Sequence, residues 1–376
     1  MSSWIKNINL EGDRTIWGIV FALSLFSLLV VYSTAGWHFL FKHSIKLLIG
    51  IFAMYAVHKI KFKYFSKLGQ LAYLLSLGLL ILVFIIGVSI NGASRWLSIA
   101  GLQFQPSDVA KLAILLYLAR QLSKQREYLH QFKDFAWYVL GPLVLICALI
   151  LPNNFSTSAL VFVNGLVLMF IAKVRLKFIG AIIAAAFIGA LTIYGAAKYT
   201  PIGSQIMPRS ITWVSRIDSF FDGVENDIVH KDFQQVQALV AIQNGGLKGM
   251  GPGKSIQRSI LPYSSSDFIY AIIIEEYGII GGVGVILAYL ILLFRAIRIS
   301  FKVESVFGSL VTVGLMFSLV FQALINMLVA VEVLPVTGQT LPLISMGGTS
   351  IVFTCIAIGI VLSISRDSTD RAYEKA

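Results

Sequence analysis

The sequence predicts an all-α polytopic membrane protein with about ten transmembrane helices, and three observations lead to this fold class. First, 57% of the 376 residues are hydrophobic and 13% are charged, about half of the charged share of a soluble protein. Second, the mean hydropathy is +0.83. Third, the apolar residues form runs of roughly 20, the length of a helix that spans a bilayer. This composition excludes a disordered chain, a collagen, a coiled coil and a disulfide-stapled secreted scaffold.

Nine apolar runs are clear candidates for spanning helices. In chain order they are 15–36, 38–58, 68–90, 135–151, 158–172, 178–197, 268–294, 306–331 and 346–364. A tenth candidate, 107–120, is shorter and carries Asp108 and Lys111 near its start. The first run exceeds a signal-peptide core and lacks a small-residue cleavage site, so we expect a retained helix. Cys147 and Cys355 lie inside apolar runs and are interpreted as packing residues.

The distribution of basic residues predicts the orientation in the membrane. The net charge is +12, but the Lys and Arg residues cluster between apolar runs, which disfavours a nucleic-acid partner. The basic connections are 59–67, 120–133, 173–177 and 295–302. The connections 91–106, 152–157 and 332–345 hold a single basic residue between them, Arg95. The positive-inside rule therefore predicts cytoplasmic termini, and the alternation requires the tenth helix.

One outer segment, about 198–267, is far longer than the other connections and precedes the eighth helix. Connections of this length are usually functional. It contains Arg209 and Arg216 among mixed charges, continues into a Gly-rich stretch and ends at Asp267. Because no soluble domain or linker is visible, residues 1–376 are predicted to form a single integral membrane domain with its chemistry at the outer face.

The Gly-rich stretch 245–255 reads GGLKGMGPGKS and is similar to a phosphate-binding loop. That loop requires glycine where this sequence has Lys248, and the segment is predicted to lie outside, away from nucleotides. We interpret it as a tight loop whose glycines let the backbone approach a ligand or the membrane. The five histidines show no zinc-ligand spacing. We therefore expect no nucleotide, haem or flavin cofactor.

Several charged residues lie within or beside the predicted helices, and each has two interpretations. Asp267 is either an N-cap of the eighth helix or a general base that serves a lipid-borne substrate. Glu275, about 12 Å deeper by helix geometry, is either functional or part of polar helix packing. Asp108 and Lys111 share a helix face and can form a structural ion pair. Alternatively, Lys111 and Arg95 hold an anionic group.

The segment 334–350, LPVTGQTLPLISMGGTS, packs two prolines and three glycines between two spans. Irregular backbone at membrane depth is tolerated where it is buried in protein or lines a cavity. We therefore expect a cavity wall here, with Ser345, Gly347 and Gly348 lining the cavity together with Glu275. These residues predict an outer-facing polar cavity, but they do not separate an enzyme from a transporter.

Three segments resemble the SEDS family, the shape, elongation, division and sporulation proteins. The segment NGASRWLSIAGLQFQPSDVAKLA (91–113) is similar to that family's G-A-x-R-W … Q-P-S-E-x-x-K signature. Residues 233–282 resemble its Gly-rich, T-D-F-I-F and G-E-E-x-G block. They run from FQQVQALVAIQNGGLKGMGPGKSIQRSILPYSSSDFIY into IIIEEYGIIGG. Segment 334–350 resembles its L-P-x-T-G-x-x-L-P-x-x-S-x-G-G-x-S block. The matches follow the family order and span most of residues 91–364.

The resemblance implies a peptidoglycan glycosyltransferase that polymerises lipid II, the undecaprenyl-diphosphate disaccharide-pentapeptide, in the bacterial cytoplasmic membrane. It also implies a class B penicillin-binding protein as partner, together with other division proteins. The family's catalytic aspartate falls on Asp267, and the motif Arg and Lys fall on Arg95 and Lys111. The wording of 334–350 is closer to the division members, which implies a septal role. Asn154 replaces a carboxylate that is usual in the family.

These assignments lead to an expected mechanism. Asp267 takes the proton of the acceptor sugar 4-hydroxyl as that oxygen attacks the donor's anomeric carbon. The departing diphosphate needs cations. The first candidates are Arg95 and Lys111, with Asp108 orienting the lysine, and the loop residues Arg209, Arg216, Lys254 and Arg258 follow. Mg²⁺ or Mn²⁺, held mainly by diphosphate oxygens, is a further candidate.

Four alternatives stay open at this point. A retaining route would need a second carboxylate as nucleophile, for which Asp232 or Glu275 could be considered. An elongation-type polymerase would share the same chemistry. A transporter that flips lipid II would also contain intramembrane charges and broken helices. A non-catalytic scaffold for a partner synthase would tolerate the loss of Asp267.

Overall fold

The computed structural model describes residues 10–90, 93–99, 102–124, 131–200, 209–221 and 233–374. In this part of the chain the helices are α1 (Arg14–His58), α2 (Phe65–Ile86), α3 (Pro106–Lys124), α4 (Phe132–Ile150), α5 (Phe155–Ile171), α6 (Leu176–Tyr199), α7 (Ser210–Phe221), α8 (Phe233–Gly245), α9 (Ile269–Lys302), α10 (Val306–Ala330) and α11 (Ser350–Glu374). Three short strands, β1 (Val88–Ile90), β2 (Ala93–Ile99) and β3 (Leu102–Phe104), lie between α2 and α3.

Helix α1 consists of two helical halves, and the chain folds back on itself between them at Gly36. Gly36 has φ +76° inside the helix, a conformation that glycine adopts without the steric cost of a Cβ. Ser27 Oγ lies 2.7 Å from His43 Nε2, so the two halves lie side by side. The element therefore accounts for two predicted spans, 15–36 and 38–58.

The prediction of a helical, polytopic membrane protein is confirmed. Seven of the described helices are long and apolar enough to cross a membrane: α1, α2, α4, α6, α9, α10 and α11. Helix α5 is apolar but has 17 residues, and α3 has 19 residues that include Asp108 and Lys111. Helices thus occupy all ten predicted positions, with α1 covering two of them. The number of crossings and the cytoplasmic termini stay predictions.

The purely helical prediction misses a small sheet. Strands β1, β2 and β3 form an antiparallel sheet in that order, with Val88 opposite Trp96 and Leu97 opposite Phe104. Short connections between adjacent strands permit such hairpins. The sheet carries Arg95 in its middle strand.

The described part of the bundle has two distinct ends. At one end, Arg295 donates to Asp13, with its Nε 2.9 Å from Oδ2, and Arg366 Nη1 donates to the His58 carbonyl at 2.7 Å. At the other end, Arg258 Nη1 donates to the Ser33 carbonyl at 3.0 Å, close to the bend of α1. The twenty residues from Asp13 to Ser33 rise about 30 Å as a helix, the thickness of a hydrocarbon core.

Helix α10 lies at the centre of the bundle and packs against α3, α5, α9 and α11. Its buried face includes polar residues: Asn164 Nδ2 on α5 donates to Ser318 Oγ at 2.8 Å, and Gln322 and Asn326 are also buried. Helix α6, by contrast, buries only Ile179 and Ile182. It therefore lies at the periphery, where its apolar side chains suit contact with lipid.

Candidate active site

Four charged side chains come together at the end of the bundle that contains the sheet. Arg95 lies on β2, Arg209 directly precedes α7, Arg216 lies on α7, and Asp267 lies two residues before α9. The Asn153 carbonyl accepts from Arg95 Nε at 2.7 Å and from Arg209 Nη1 at 3.3 Å. The long segment therefore folds back over the bundle and brings its two arginines to Arg95.

The position of Asp267 is held by hydrogen bonds to its own backbone carbonyl and to that of Ser266. Asn326 Nδ2 on α10 donates to the Asp267 carbonyl at 2.6 Å and to the Gln339 carbonyl at 2.7 Å. Ser345 Oγ donates to the Ser266 carbonyl at 2.6 Å. Each of these donors is nearly inaccessible to solvent. The carboxylate is consequently presented by a rigid support from α10 and segment 334–350.

Burial and charge act in opposite directions on Asp267. Burial raises the pKa of its carboxyl above the ordinary value, and the Ser266 hydroxyl, Arg216 and Arg95 oppose that rise without cancelling it. Burial, Arg209 and Arg216 lower the pKa of Arg95 to about 10, against the influence of Asp267. Arg95 therefore stays charged at neutral pH. One carboxylate among three guanidinium groups leaves a positive site that suits a doubly charged anion such as a diphosphate.

The N-cap interpretation of Asp267 is wrong. Helix α9 begins at Ile269, its N-cap residue is Phe268, and no side chain caps its first N–H groups. The Asp267 carboxylate is instead directed toward Gly338, where a Cβ would lie 3.6 Å from Oδ2. Gly338 also has φ +69°, which favours glycine. The carboxylate is thus free of a capping role.

Segment 334–350 packs against this site, and its role as a cavity wall stays a prediction. Ser345 is buried and supports the backbone at Ser266. A Cβ on Gly348 would lie 3.0 Å from Trp96 Cζ3, next to Arg95, whereas one on Gly347 would lie at ordinary contact distance, 3.7 Å from Ile351. A larger residue at 348 would press on the Trp96 ring, which would have to move by a few tenths of an ångström.

Lys111 and Asp108 belong to a separate polar group inside the bundle. Lys111 Nζ donates to Gln322 Oε1 at 2.7 Å, and Asp108 Oδ2 is buried without a hydrogen-bond partner among the described residues. The charge of Asp108 interacts electrostatically with Lys111. The charges of Arg209, Arg216 and Asp267 interact electrostatically with Arg95. Both residues line a cavity of about 30 Å³ between α3, α10 and α11, with room for a water molecule. Lys111 and Arg95 therefore have different hydrogen-bond partners, Gln322 and the Asn153 carbonyl.

Glu275 does not line an open cavity. Its side chain is fully buried and accepts hydrogen bonds from Ser255 Oγ, from Asn244 Nδ2 at 3.2 Å, and from the backbone N–H of Ile256 and Gln257 at 3.3 and 3.2 Å. A carboxylate with this many donors stabilises the chain around it. Glu275 thus holds the loop that leads to Asp267. This role is the polar-packing interpretation of Glu275.

The Gly-rich loop packs on the backbone of α9, and its approach to a ligand or the membrane stays a prediction. Helix α9 is interrupted at Gly278, where φ is +71°. The N–H groups of Met250 and Gly251 donate to the carbonyls of Glu275 and Glu276 at 2.8 and 2.9 Å, and Ile279 N–H donates to the Gly246 carbonyl at 2.9 Å. The loop therefore satisfies backbone groups that the break in α9 exposes.

Two predicted diphosphate ligands lie away from the arginine group. Lys254 is exposed, and Arg258 donates to the Ser33 carbonyl. Neither is among the charged groups that act on Asp267. Asp232 lies outside the described residues.

The sequence reasoning missed several buried polar residues around Asp267. Asn326 and Gln322 stand four apart on α10, and that polar pair within a membrane helix was a signal that could have found them. Gln339 Nε2 donates to Thr157 Oγ1 at 3.0 Å. Asn154 caps α5 by accepting from Thr157 N–H at 3.2 Å. Because asparagine is a good N-cap, that role does not require the family's carboxylate.

The described residues contain no group of three His, Cys, Asp or Glu side chains that could hold a metal ion. Among the residues that the structure describes, Asp267 is the single carboxylate within the arginine group. This donor set does not suit a metal ion held by protein ligands, but it suits a cation held mainly by substrate oxygens.

This fold and site define a polytopic helical membrane protein with a half-buried carboxylate among arginines at one end. A family model described as "Cell cycle protein", for FtsW, RodA and SpoVE, matches residues 13–370. The chain therefore belongs to this family, the SEDS family. A probable peptidoglycan glycosyltransferase FtsW of Nitrosococcus halophilus is 32% identical over 88% of this chain and 84% of that protein. Stage V sporulation protein E of Bacillus subtilis is 32% identical over 85% of each.

Solved structures share the fold. A chain from a peptidoglycan synthase complex, described for its coordination of polymerization and crosslinking, matches with a TM-score of 0.79 and 25% identity, and covers 95% of this chain and 98% of that chain. The rod shape determining protein RodA of Thermus thermophilus matches with a TM-score of 0.69 at 24% identity, over 95% of this chain and 97% of that chain.

Proposed function

We propose that this protein is a peptidoglycan glycosyltransferase that polymerises lipid II at the outer face of the bacterial cytoplasmic membrane. The observation that carries the proposal is the half-buried Asp267, on whose carboxyl Arg95 and Arg216 act, at one end of the bundle. Relatives named peptidoglycan glycosyltransferase FtsW support the reaction class. The family description, "Cell cycle protein", supports a role in cell division.

Asp267 acts as the general base of this reaction. The oxygen of the acceptor 4-hydroxyl forms a bond to the donor's anomeric carbon, the bond from that carbon to the lipid diphosphate breaks, and the hydroxyl proton passes to Asp267. A carboxyl whose pKa is raised by burial accepts a proton more readily near neutral pH. A single base suffices when the anomeric centre inverts.

The three arginines stabilise the departing diphosphate. Arg95, Arg209 and Arg216 are held by the carbonyls of Asn153 and Val336, so their orientation is set before the reaction. Preorganised cations are most effective where negative charge develops. A divalent cation on the diphosphate would add positive charge there, and Asp267 is the side chain within the arginine group able to contact it.

The partner proposed for this chain is a class B penicillin-binding protein. The support is the matched chain from a complex that coordinates polymerization and crosslinking. The test is polymerisation of labelled lipid II by the purified protein with that partner, whose transpeptidase is blocked. Glycan ladders from the wild type establish the activity. No ladders, with lipid II crossing liposome membranes, would favour a transporter.

The role of Asp267 is tested by Asp267→Asn, which keeps the shape and removes the basic group. We expect the rate to fall by a factor of about a hundred to ten thousand. The matched control is Asp134→Asn, in the first turn of the α4 segment at the opposite end, which should keep wild-type ladders. Ladders of equal intensity from Asp267→Asn would refute the assignment of the base and favour a scaffold-like role for this residue.

A further inference from the structure

A large open cavity lies at the end of the bundle opposite Asp267. It has a volume of about 970 Å³ and is lined by the start of α1, the last two turns of α9 and the end region of α11. Five of its lining residues are cations and two are anions: Arg14, Arg295, Arg298, Lys302 and Arg366 against Glu11 and Asp13. The cavity therefore has an excess of positive charge.

Two of these cations are already neutralised by neighbours. Arg295 pairs with Asp13, and Arg366 pairs with Asp367 at 2.6 Å and with Glu11 at 3.8 Å. Arg14, Arg298 and Lys302 form no ion pair with any residue that the structure describes. All three are exposed. Three cations that have no ion-pair partner among the described residues thus line one cavity.

The unpaired cations adjoin a surface that suits acyl chains. Arg298 lies over the ring of Phe294, with Cζ 5.4 Å from the ring centroid. Phe294 and Phe301 are 54% and 85% exposed. On a helix, residue 298 neighbours both 294 and 301 as well as 302, so the exposed aromatic stripe and the basic stripe of α9 lie side by side.

We propose that this cavity binds the headgroup of an anionic phospholipid. The phosphate contacts Arg14, Arg298 and Lys302, with Phe301 beside the headgroup, and the acyl chains run from there past Phe294 toward the membrane centre. A soluble phosphate compound or an acidic peptide would use the cations but would leave the aromatic stripe unexplained. The combination of phosphate-binding cations and a lipid-facing apolar stripe is that of a lipid site between helices.

The test uses the full-length protein in nanodiscs, with bound lipid measured by native mass spectrometry after release. We expect phosphatidylglycerol to be retained in preference to phosphatidylcholine. A triple variant, Arg14→Gln with Arg298→Gln and Lys302→Gln, should bind phosphatidylglycerol on the order of a hundredfold more weakly, because each cation near an anionic lipid contributes about fivefold. The single variant Arg298→Gln should lose about fivefold, which keeps the test decisive if the triple variant unfolds.

The matched control replaces Lys61, Lys63 and Lys67 by glutamine. These residues are exposed, belong to another basic connection and do not line the cavity. Equal loss in the control would show general membrane electrostatics and overturn the proposal. Equal retention of the two lipids would overturn it as well. Displacement of the lipid by inorganic phosphate, or by an acidic peptide at equal charge, would assign the cavity to that ligand and refute the lipid assignment.

Discussion

At Asp267, the same surroundings raise the pKa and provide the cations that a leaving group needs. Burial raises the pKa, while Arg216 and Arg95 lower it. A base must be unprotonated, so activity is retained above the pKa of Asp267 and lost as the pH falls through it. Because the net shift is upward, we expect that loss at a higher pH than for an ordinary aspartate.

Arg216→Gln tests this electrostatic coupling. Removing a positive neighbour removes a cause that lowers the pKa of Asp267, so the pKa rises further. We expect the acid limb of the pH dependence of polymerisation to move to higher pH, measured with labelled lipid II from acidic to neutral pH. Arg258→Gln, whose guanidinium contacts the Ser33 carbonyl, is the control, and its acid limb should coincide with the wild type. An unmoved limb in Arg216→Gln would contradict the coupling.

At the scale of elements, the interrupted helix α9 and the Gly-rich loop form one unit. The break at Gly278 exposes backbone groups, and the loop at 246–251 pairs with them. Glu275 then fixes residues 255–257, ten residues before Asp267. A carboxylate that looks catalytic in the sequence therefore positions the segment that carries the catalytic candidate.

Gly278→Ala tests this unit against a matched position in the same helix. A Cβ at 278 would collide with the Leu247 carbonyl, and the backbone φ there is +71°. A Cβ at Gly284 would meet nothing within 4 Å. The backbone strain alone costs about 1–3 kcal/mol, so Gly278→Ala should lower the melting temperature in detergent. Gly284→Ala should be neutral or stabilising by up to about 1 kcal/mol. Equal melting temperatures would show that the loop does not depend on the break.

Helix α7 is positioned by a small set of contacts. Lys198 Nζ on α6 lies 3.0 Å from Asp218 on α7, and the ring of Trp213 lies 5.1 Å from that of Phe155 on α5. These contacts orient the helix that carries Arg216. The site is therefore assembled from β2, α7 and the start of α9, elements far apart in the chain.

At the scale of the whole molecule, the two ends differ in chemistry. One end carries Asp267 and its arginines, and the other carries the ion pairs of Asp13 and Arg366 and the basic cavity. The positive-inside rule assigns the second end to the cytoplasm. This assignment would place the catalytic candidate outside and the lipid site inside.

Cysteine accessibility tests the assignment of sides. In a background where Cys147 and Cys355 are alanine, we expect Lys254→Cys to react with a membrane-impermeant thiol reagent added to intact cells. Lys61→Cys and Lys177→Cys should react only after permeabilisation. All three positions are exposed, so burial cannot account for a difference. Labelling of Lys61→Cys in intact cells would reverse the orientation or change the number of crossings.

Much of this architecture follows from local patterns. Apolar runs of spanning length predict helices wherever they occur, because an unpaired backbone group is costly in lipid, and helices are present at all ten predicted positions. Asp267 was chosen as the catalytic candidate from its place before α9 and from the motif, and that assignment stays a prediction. The short sheet went unpredicted, because its strands are three to seven residues long and carry little periodic signal.

The residue types, the helices and the catalytic candidate can be read from the chain, since membrane insertion depends on local hydropathy and the motifs are contiguous. Which cations meet Asp267 was decided by tertiary packing. Arg209 and Arg216 reach Arg95, while Lys111 turns to Gln322 and Arg258 to Ser33. Glu275 likewise became a support because a loop far from it in sequence supplies its donors. Such contacts join distant segments, and hydropathy and spacing carry no information about which distant groups will satisfy a buried charge.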